Sequence, residues 1–270
     1  MKLVYSEIHA FPDGDTPHSG NPAGVALLNM PLDDAQMLGI ALSNNLSETA
    51  YLAALEETDT WSLRWFTPSR EVDLCGHATL ASGAYVFEEG LVKGDTAKFD
   101  TRSGRLTVQK HARGHYAVEF PKVDFEPGDA APGTVEAMGL EPKAVFELTR
   151  IHGSRYQMFV YDSEDQIAGL TIDETGLAKT GTNILATARG QSADVVSRFF
   201  CPADIKGEDP VTGSAHCTLA PYWSEVLNKA EMSARQIGPR SGALTMRMNP
   251  DGRVTLIGGA HRHLDGVIYT

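Results

Sequence analysis

A chain of 270 residues, 42% hydrophobic and 21% charged, can build a sizeable core as one large domain or two of ordinary size. A formal charge of −12 and a pI near 5.2 argue against electrostatic binding to nucleic acid or anionic lipid, but not against a small anionic substrate held by a local positive potential. No apolar run approaches the roughly 18–20 residues of a membrane span. Met1-Lys2-Leu3-Val4-Tyr5 leads directly into strand-like sequence without a signal-peptide core, so the expected location is the cytoplasm. There Cys75, Cys201 and Cys217, an odd number without zinc-ligand spacing, are expected to stay reduced.

In chain order, the pattern predicts strands at 2–8 and 23–29, then a helix over 33–44 that opens with Asp33-Asp34 and carries Met37, Ile40 and Ala41 at helical spacing. Strands follow at 49–54 and 60–66, a helix at 77–90, and strands at 97–100, 105–111 and 115–120. Residues 120–129 are rich in Pro, Gly and acid, as linkers are. Beyond them, strands are expected at 144–150, 156–161, 168–172, 183–188, 194–200, 243–248 and 253–257, with a helix at 214–228. The helices at 77–90 and 214–228 are apolar on most of their circumference, as helices wrapped by other elements are. The fold class is therefore α+β, with each half a curled, mostly antiparallel sheet around one central helix. Residues 1–120 form the first domain and 121–261 the second. The last strand, about 262–270, is a candidate to complete the first domain, which spacing alone does not decide.

The two halves repeat one another. Arg64-Trp65-Phe66-Thr67-Pro68 returns as Arg198-Phe199-Phe200-Cys201-Pro202, Cys75-Gly76-His77-Ala78 as Thr212-Gly213-Ser214-Ala215, and Ser103-Gly104-Arg105-Leu106-Thr107 as Ser241-Gly242-Ala243-Leu244-Thr245. The offsets are 134 at Arg64, 137 at Gly76 and 138 at Ser103, close to half the chain. A duplicated pair of domains follows, expected to be related by a pseudo-twofold with a cleft between corresponding motifs.

Three segments carry chemistry. Gly76 and Gly213 each begin a buried helix, where free backbone N–H groups and the positive dipole end can bind an anion such as a carboxylate. For either copy alone, Gly with Ser or Thr is ordinary capping chemistry; two copies in one duplicated frame favour a site. Glu48, at the edge of the apolar run Ala50-Tyr51-Leu52-Ala53-Ala54, is either a solvated edge residue or a carboxyl able to move protons near neutral pH. In Glu208-Asp209-Pro210-Val211-Thr212-Gly213-Ser214-Ala215-His216, Asp209 lies five residues before Ser214, so both can serve one cleft. The bland reading is a helix-start loop whose acids complement the dipole. His261-Arg262-His263 hints at a metal, but no carboxylate or cysteine cluster joins it in the sequence. It reads as a solvated surface pair.

Asn21-Pro22-Ala23-Gly24-Val25, Asn45-Leu46-Ser47-Glu48-Thr49-Ala50, Arg64-Trp65-Phe66-Thr67-Pro68, Asp73-Leu74-Cys75-Gly76-His77-Ala78-Thr79, Arg198-Phe199-Phe200 and the segment from Glu208 to His216 together resemble the phenazine-biosynthesis PhzF family of isomerases. The resemblance covers nearly the whole chain in order. It implies a diaminopimelate epimerase-like fold, each domain a sheet rolled round a helix, with the active site between domains. Position by position it makes Glu48 the catalytic acid/base, His77, Asp209 and Ser214 the polar residues around the substrate, and Gly76 and Gly213 the helix-start glycines. It implies no cofactor or metal, a small carboxylate-bearing substrate and a homodimer. In the family's founding activity a proton leaves C3 of trans-2,3-dihydro-3-hydroxyanthranilate and is redelivered to the ring.

Epimerases and racemases of this fold resemble one another in using two cysteines, each just before a helix-start glycine. Here those positions hold Cys75 and Thr212, and a threonine hydroxyl is far too weak an acid to replace a thiol. The expected function is a cofactor-independent isomerase that moves a proton by Glu48 catalysis. The alternatives are a dehydratase or epimerase on a small hydroxy or amino acid, and a non-catalytic small-molecule binder.

Overall fold

The computed structural model describes residues 2–14, 16, 18–149, 155–202 and 207–270. The chain divides into two compact units, Met1–Phe120 with Thr255–Thr270, and Pro121–Val254.

The first unit begins with β1 (Lys2–Ala10) antiparallel to β2 (Asn21–Leu27). A crossover through α1 (Asp34–Asn44) brings β3 (Glu48–Ala54) parallel to β2. Asp33 starts α1 with a capping box: its carboxylate accepts from Gln36 N at 2.8 Å, and Gln36 Oε1 accepts from Asp33 N at 3.1 Å. β4 (Thr60–Phe66) is antiparallel to β3 and carries the two-residue β5 (Glu71–Val72). Next come α2 (Gly76–Glu88), β6 (Thr96–Thr101) parallel to β4, and the antiparallel β7 (Gly104–Lys110) and β8 (His115–Pro121).

α2 is buried at every residue from Gly76 to Val86 and packs against β1, β2, β3, β6 and β7. One close approach of α2 to the sheet needs a glycine. A Cβ on Gly83 would lie 2.4 Å from Val108 Cγ1 on β7. Outside the sheet, α1 buries Met37, Ile40 and Ala41 against Leu3, Tyr5, Tyr51 and Phe66.

The second unit repeats this order. β9 (Phe125–Pro127) pairs antiparallel with β10 (Ala144–Leu148), with α3 (Thr134–Met138) between them in the chain. β10 is antiparallel to β11 (Arg155–Val160). After α4 (Glu164–Ala168) and α5 (Glu174–Thr180), β12 (Thr182–Arg189) lies parallel to β11, as β3 does to β2. β13 (Val195–Phe200) is antiparallel to β12 and carries the two-residue β14 (Glu208–Asp209). α6 (Gly213–Leu227) precedes β15 (Glu231–Gln236), which is parallel to β13 and antiparallel to β16 (Gly242–Met248). β12 is buried at every residue from Thr182 to Ala188 because both faces are covered. Trp223 of α6 donates to Thr187 Oγ1 at 3.0 Å, while Met138, Ile167 and Leu177 of α3, α4 and α5 join Phe159, Ile184 and Ala186 in one core.

The last strand, β17 (Arg253–Tyr269), carries the chain back to the first unit. It runs antiparallel to β1 from Ala260 opposite Ala10 to Tyr269 opposite Lys2, and it also pairs with β8. Among the described residues β17 closes the first unit's sheet around α2, the strands β1–β4, β6–β8 and β17 each pairing on both sides while the short β5 pairs with β4.

The repeat extends to individual contacts. Arg64 forms a two-pronged pair with Glu71 at 2.7 and 2.6 Å and lies 5.1 Å from the Phe66 ring. Its twin Arg198 does the same with Glu208 at 2.8 and 2.7 Å, and lies 4.9 Å from Phe200.

Three expectations need correction. The predicted strand at 168–172 does not form. Ser163 caps α4 by accepting from Gln166 N at 3.3 Å, Glu164 and Asp165 favour its first turn, and the segment beyond buries only Leu170. The acidic linker at 120–129 includes the end of β8 and the strand β9, whose Phe125 lies opposite Leu148. The His261-His263 pair is not merely solvated, because Glu7 and His9 stand beside it. Residue 150, the end of the strand predicted at 144–150, lies outside the described residues.

Candidate active site

Glu48 is the first residue of β3, just after α1 ends at Asn45 in the left-handed region (φ 52°). That turn brings Glu48 to the start of α2. Its Oε2 lies 3.2 Å from His77 Nε2, a close approach but without the alignment of a hydrogen bond. The Glu48 side chain keeps 15% of its surface accessible and that of His77 only 5%, so the carboxylate is the more reachable of the two.

His77 is held from its other side. Asn21 Nδ2 lies 3.3 Å from His77 Nδ1, and Ser47 donates to Asn21 Oδ1 at 3.3 Å, which fixes the amide with its nitrogen toward the ring. Cys75 Sγ is 3.5 Å from the same Nδ1. An Nδ1 that accepts from these donors leaves the ring proton on Nε2, facing Glu48. Burial pushes the His77 pKa from the ordinary 6.5 down to about 3, so the ring is neutral. Glu48, Cys75 and His77 each place one potential ligand atom within 4.8 Å of the others, so donor type alone would let them hold a metal ion.

In the second unit Asp209 is buried at the end of β14 and accepts from the Thr212 hydroxyl. Gln236 Oε1 accepts from Thr212 N at 2.9 Å, fixing the approach to α6. Gly213 is buried and Ser214 half-buried. His216 is wholly buried, its Nδ1 2.7 Å from Thr212 O. Burial pushes its pKa down to about 4, partly opposed by that hydrogen bond. Thr79 donates to Cys75 O in the corresponding place on α2, so both helix starts are braced four residues in.

These two helix starts differ from those of α1, α4 and α5, and from that of α3, which also lacks a side-chain cap but carries Glu136 in its first turn. Asp33, Ser163 and Asp173 cap α1, α4 and α5 through their side chains. Cys75 and Thr212 make no side-chain cap, and neither α2 nor α6 has an acid in its first turn. The capping explanation for Gly76 and Gly213 therefore fails, and both first turns keep the features that suit an anion.

Strand register exposes what the duplication did not copy. Thr49 lies opposite Phe66 and Ile184 opposite Phe200, which places Asn183 where the first unit has Glu48. Trp65 pairs with Val72 and Phe199 with Asp209, so Asp209 corresponds to a valine. Ser214 corresponds to His77 and Thr212 to Cys75. The structure thus gathers Glu48, His77, Asn21 and Cys75 in one unit, and Asp209, Thr212, Gly213 and Ser214 in the other. Sequence reasoning missed Ser47 and Asn21 as supports of His77, and also His216. The register of His216 against Thr79 was the available signal.

The family model described as phenazine biosynthesis-like protein, PhzC-PhzF, matches residues 8–266. The chain belongs to the PhzF-like isomerase family. An uncharacterized isomerase from Pseudomonas aeruginosa is 40% identical over 262 residues, covering 96% of each chain. A PhzF-family crystal structure from Enterococcus faecalis superposes with a TM-score of 0.90 at 38% identity over 100% of both chains. A hydroxyproline epimerase from Agrobacterium vitis reaches a TM-score of 0.68 at 11% identity, covering 99% of this chain and 92% of its own, a likeness of fold alone. Among the described residues, no helix of this PhzF-like chain is long and apolar enough to cross a membrane.

Proposed function

We propose that this PhzF-like chain is a cofactor-independent isomerase that moves a proton within a small carboxylate-bearing substrate. Glu48 removes a proton from an activated carbon, the freed electron pair shifts into a neighbouring double bond, and the protonated Glu48, whose acid proton exchanges with solvent, delivers a proton at another carbon. No oxidant or reductant enters, and the acid/base is regenerated. Neutral His77, with Nε2–H toward Glu48, steadies the carboxylate as its charge appears and disappears. Asp209 and Ser214 are the polar groups that the second unit offers a ligand, and the uncapped start of α2 in the first unit, like that of α6 in the second, suits an anionic group.

The observation that carries this reading is the asymmetry of the duplication. One carboxylate faces a neutral histidine in the first unit, and its register twin is the amide of Asn183, which cannot cycle a proton. Stereoinversion by two thiols needs a second cysteine, and Thr212 in that place does not supply one.

The test is proton NMR in D2O of small carboxylates bearing a hydroxyl or amine beside an unsaturated carbon, trans-2,3-dihydro-3-hydroxyanthranilate among them, with chelator present. A rearranged product carrying solvent deuterium at one carbon supports the reading. Loss of water as the main event would make the protein a dehydratase, and turnover only on adding a metal ion would overturn the proposal.

A further inference from the structure

A second group of chemistry-bearing side chains lies on the first unit, on the seam where the returning strand β17 meets β1. Glu7 and His9 are two residues apart on β1 and so share one face of the strand. His9 is 2% exposed, with Nε2 2.9 Å from Glu7 Oε1. Opposite them the ladder slips: Glu7 pairs with Leu264 but Ile8 pairs with Arg262, so His263 is the extra residue of a β-bulge. Bulges re-aim side chains, and this one turns the His263 ring onto His9, 4.5 Å away and tilted by 25°. His18 stands 6.0 Å from His263, and His261 6.1 Å from His9.

We propose that Glu7, His9 and His263 bind a divalent transition metal of the zinc, cobalt and nickel class. One ligand atom from each lies within 4.8 Å of the other two. Two imidazoles and one carboxylate are the donor set of open three-ligand zinc sites, which leave a position for water. In a tetrahedron with metal–ligand bonds of about 2.1 Å the donors stand about 3.4 Å apart. Glu7 and His9 must therefore separate slightly, and exposed His263 must turn out of its stack, which its exposure permits. The neighbouring Arg262 is engaged elsewhere, by Glu88 at 2.9 Å and Glu89 at 2.6 Å. A bound ion would tie the last strand to the first and lock the seam that completes the first unit's sheet. The site is separate from the Glu48 cluster and independent of the proposed isomerase reaction.

The test uses the full-length, tag-free protein, stripped of metal and titrated with Co2+ by visible absorption and with Zn2+ by calorimetry. One equivalent should bind, with cobalt bands that lack sulfur-to-metal charge transfer, and Zn2+ should raise Tm. His263→Ala, an exposed change that leaves the fold intact, should weaken binding at least tenfold and abolish the Tm rise, whereas Cys75→Ser should retain both. Binding undiminished in His263→Ala, binding lost in Cys75→Ser, or no binding at several-fold excess of metal would each overturn the proposal.

Discussion

Replacing His216 by Gln should flatten the acid side of the stability profile. The folded protein holds this wholly buried ring neutral down to about pH 4, whereas the unfolded chain takes up the proton near 6.5. Between those values the unfolded state binds more protons, so stability is full above pH 6.5 and falls as the pH drops toward 4. The gap of two and a half units corresponds to about 3.4 kcal/mol at most. Below pH 4 both states are protonated and this group adds nothing more. The variant pays at neutral pH for a disturbed hydrogen bond to Thr212 O, about 1–3 kcal/mol. Urea unfolding followed by circular dichroism at pH 7.5, 6.5, 5.5 and 4.5 reads both effects. The stability difference between wild type and variant should shrink by a few kcal/mol across that range, with m-values unchanged. Parallel curves would refute the assignment of a buried neutral His216.

His77 should likewise stay neutral: its ring resonances should not titrate between pH 8 and 5, and a midpoint near 6.5 would contradict the burial that holds its pKa at about 3. Cys75→Ser should retain most of any isomerase activity; loss of activity in proportion to labelling of Cys75 alone would replace the single-carboxylate mechanism with a thiol one. Gly83→Ala should destabilise by about 1–3 kcal/mol, because the new methyl meets Val108 on β7 at 2.4 Å, and an unchanged Tm would show that α2 packs more loosely than described.

Much of this was legible in the chain. The repeated Arg-aromatic-Phe segments recur as identical Arg–Glu pairs, and the two apolar helices begin at Gly76 and Gly213 as read. The short amphipathic helices α3, α4 and α5 escaped notice because one or two turns give too little periodicity to separate from strand-like apolar runs. The support of His77 by Asn21 and Ser47 was hidden for another reason. Asn21 lies 56 positions from His77, and only the packing of α2 against β2 brings the two segments together. The histidine seam was hidden in the same way. Glu7 and His263 are at opposite ends of the sequence, and the bulge that joins them leaves no local signature.

The central claim is that Glu48 alone cycles the proton. Its most direct test is the Glu48→Gln variant, compared with wild type on the first compound found to rearrange in D2O. The amide keeps the shape and hydrogen bonding of the carboxylate, so ligand affinity should stay within a few-fold while kcat falls by on the order of 10² or more and deuterium incorporation stops. Turnover and exchange at the wild-type rate in that variant would contradict the account.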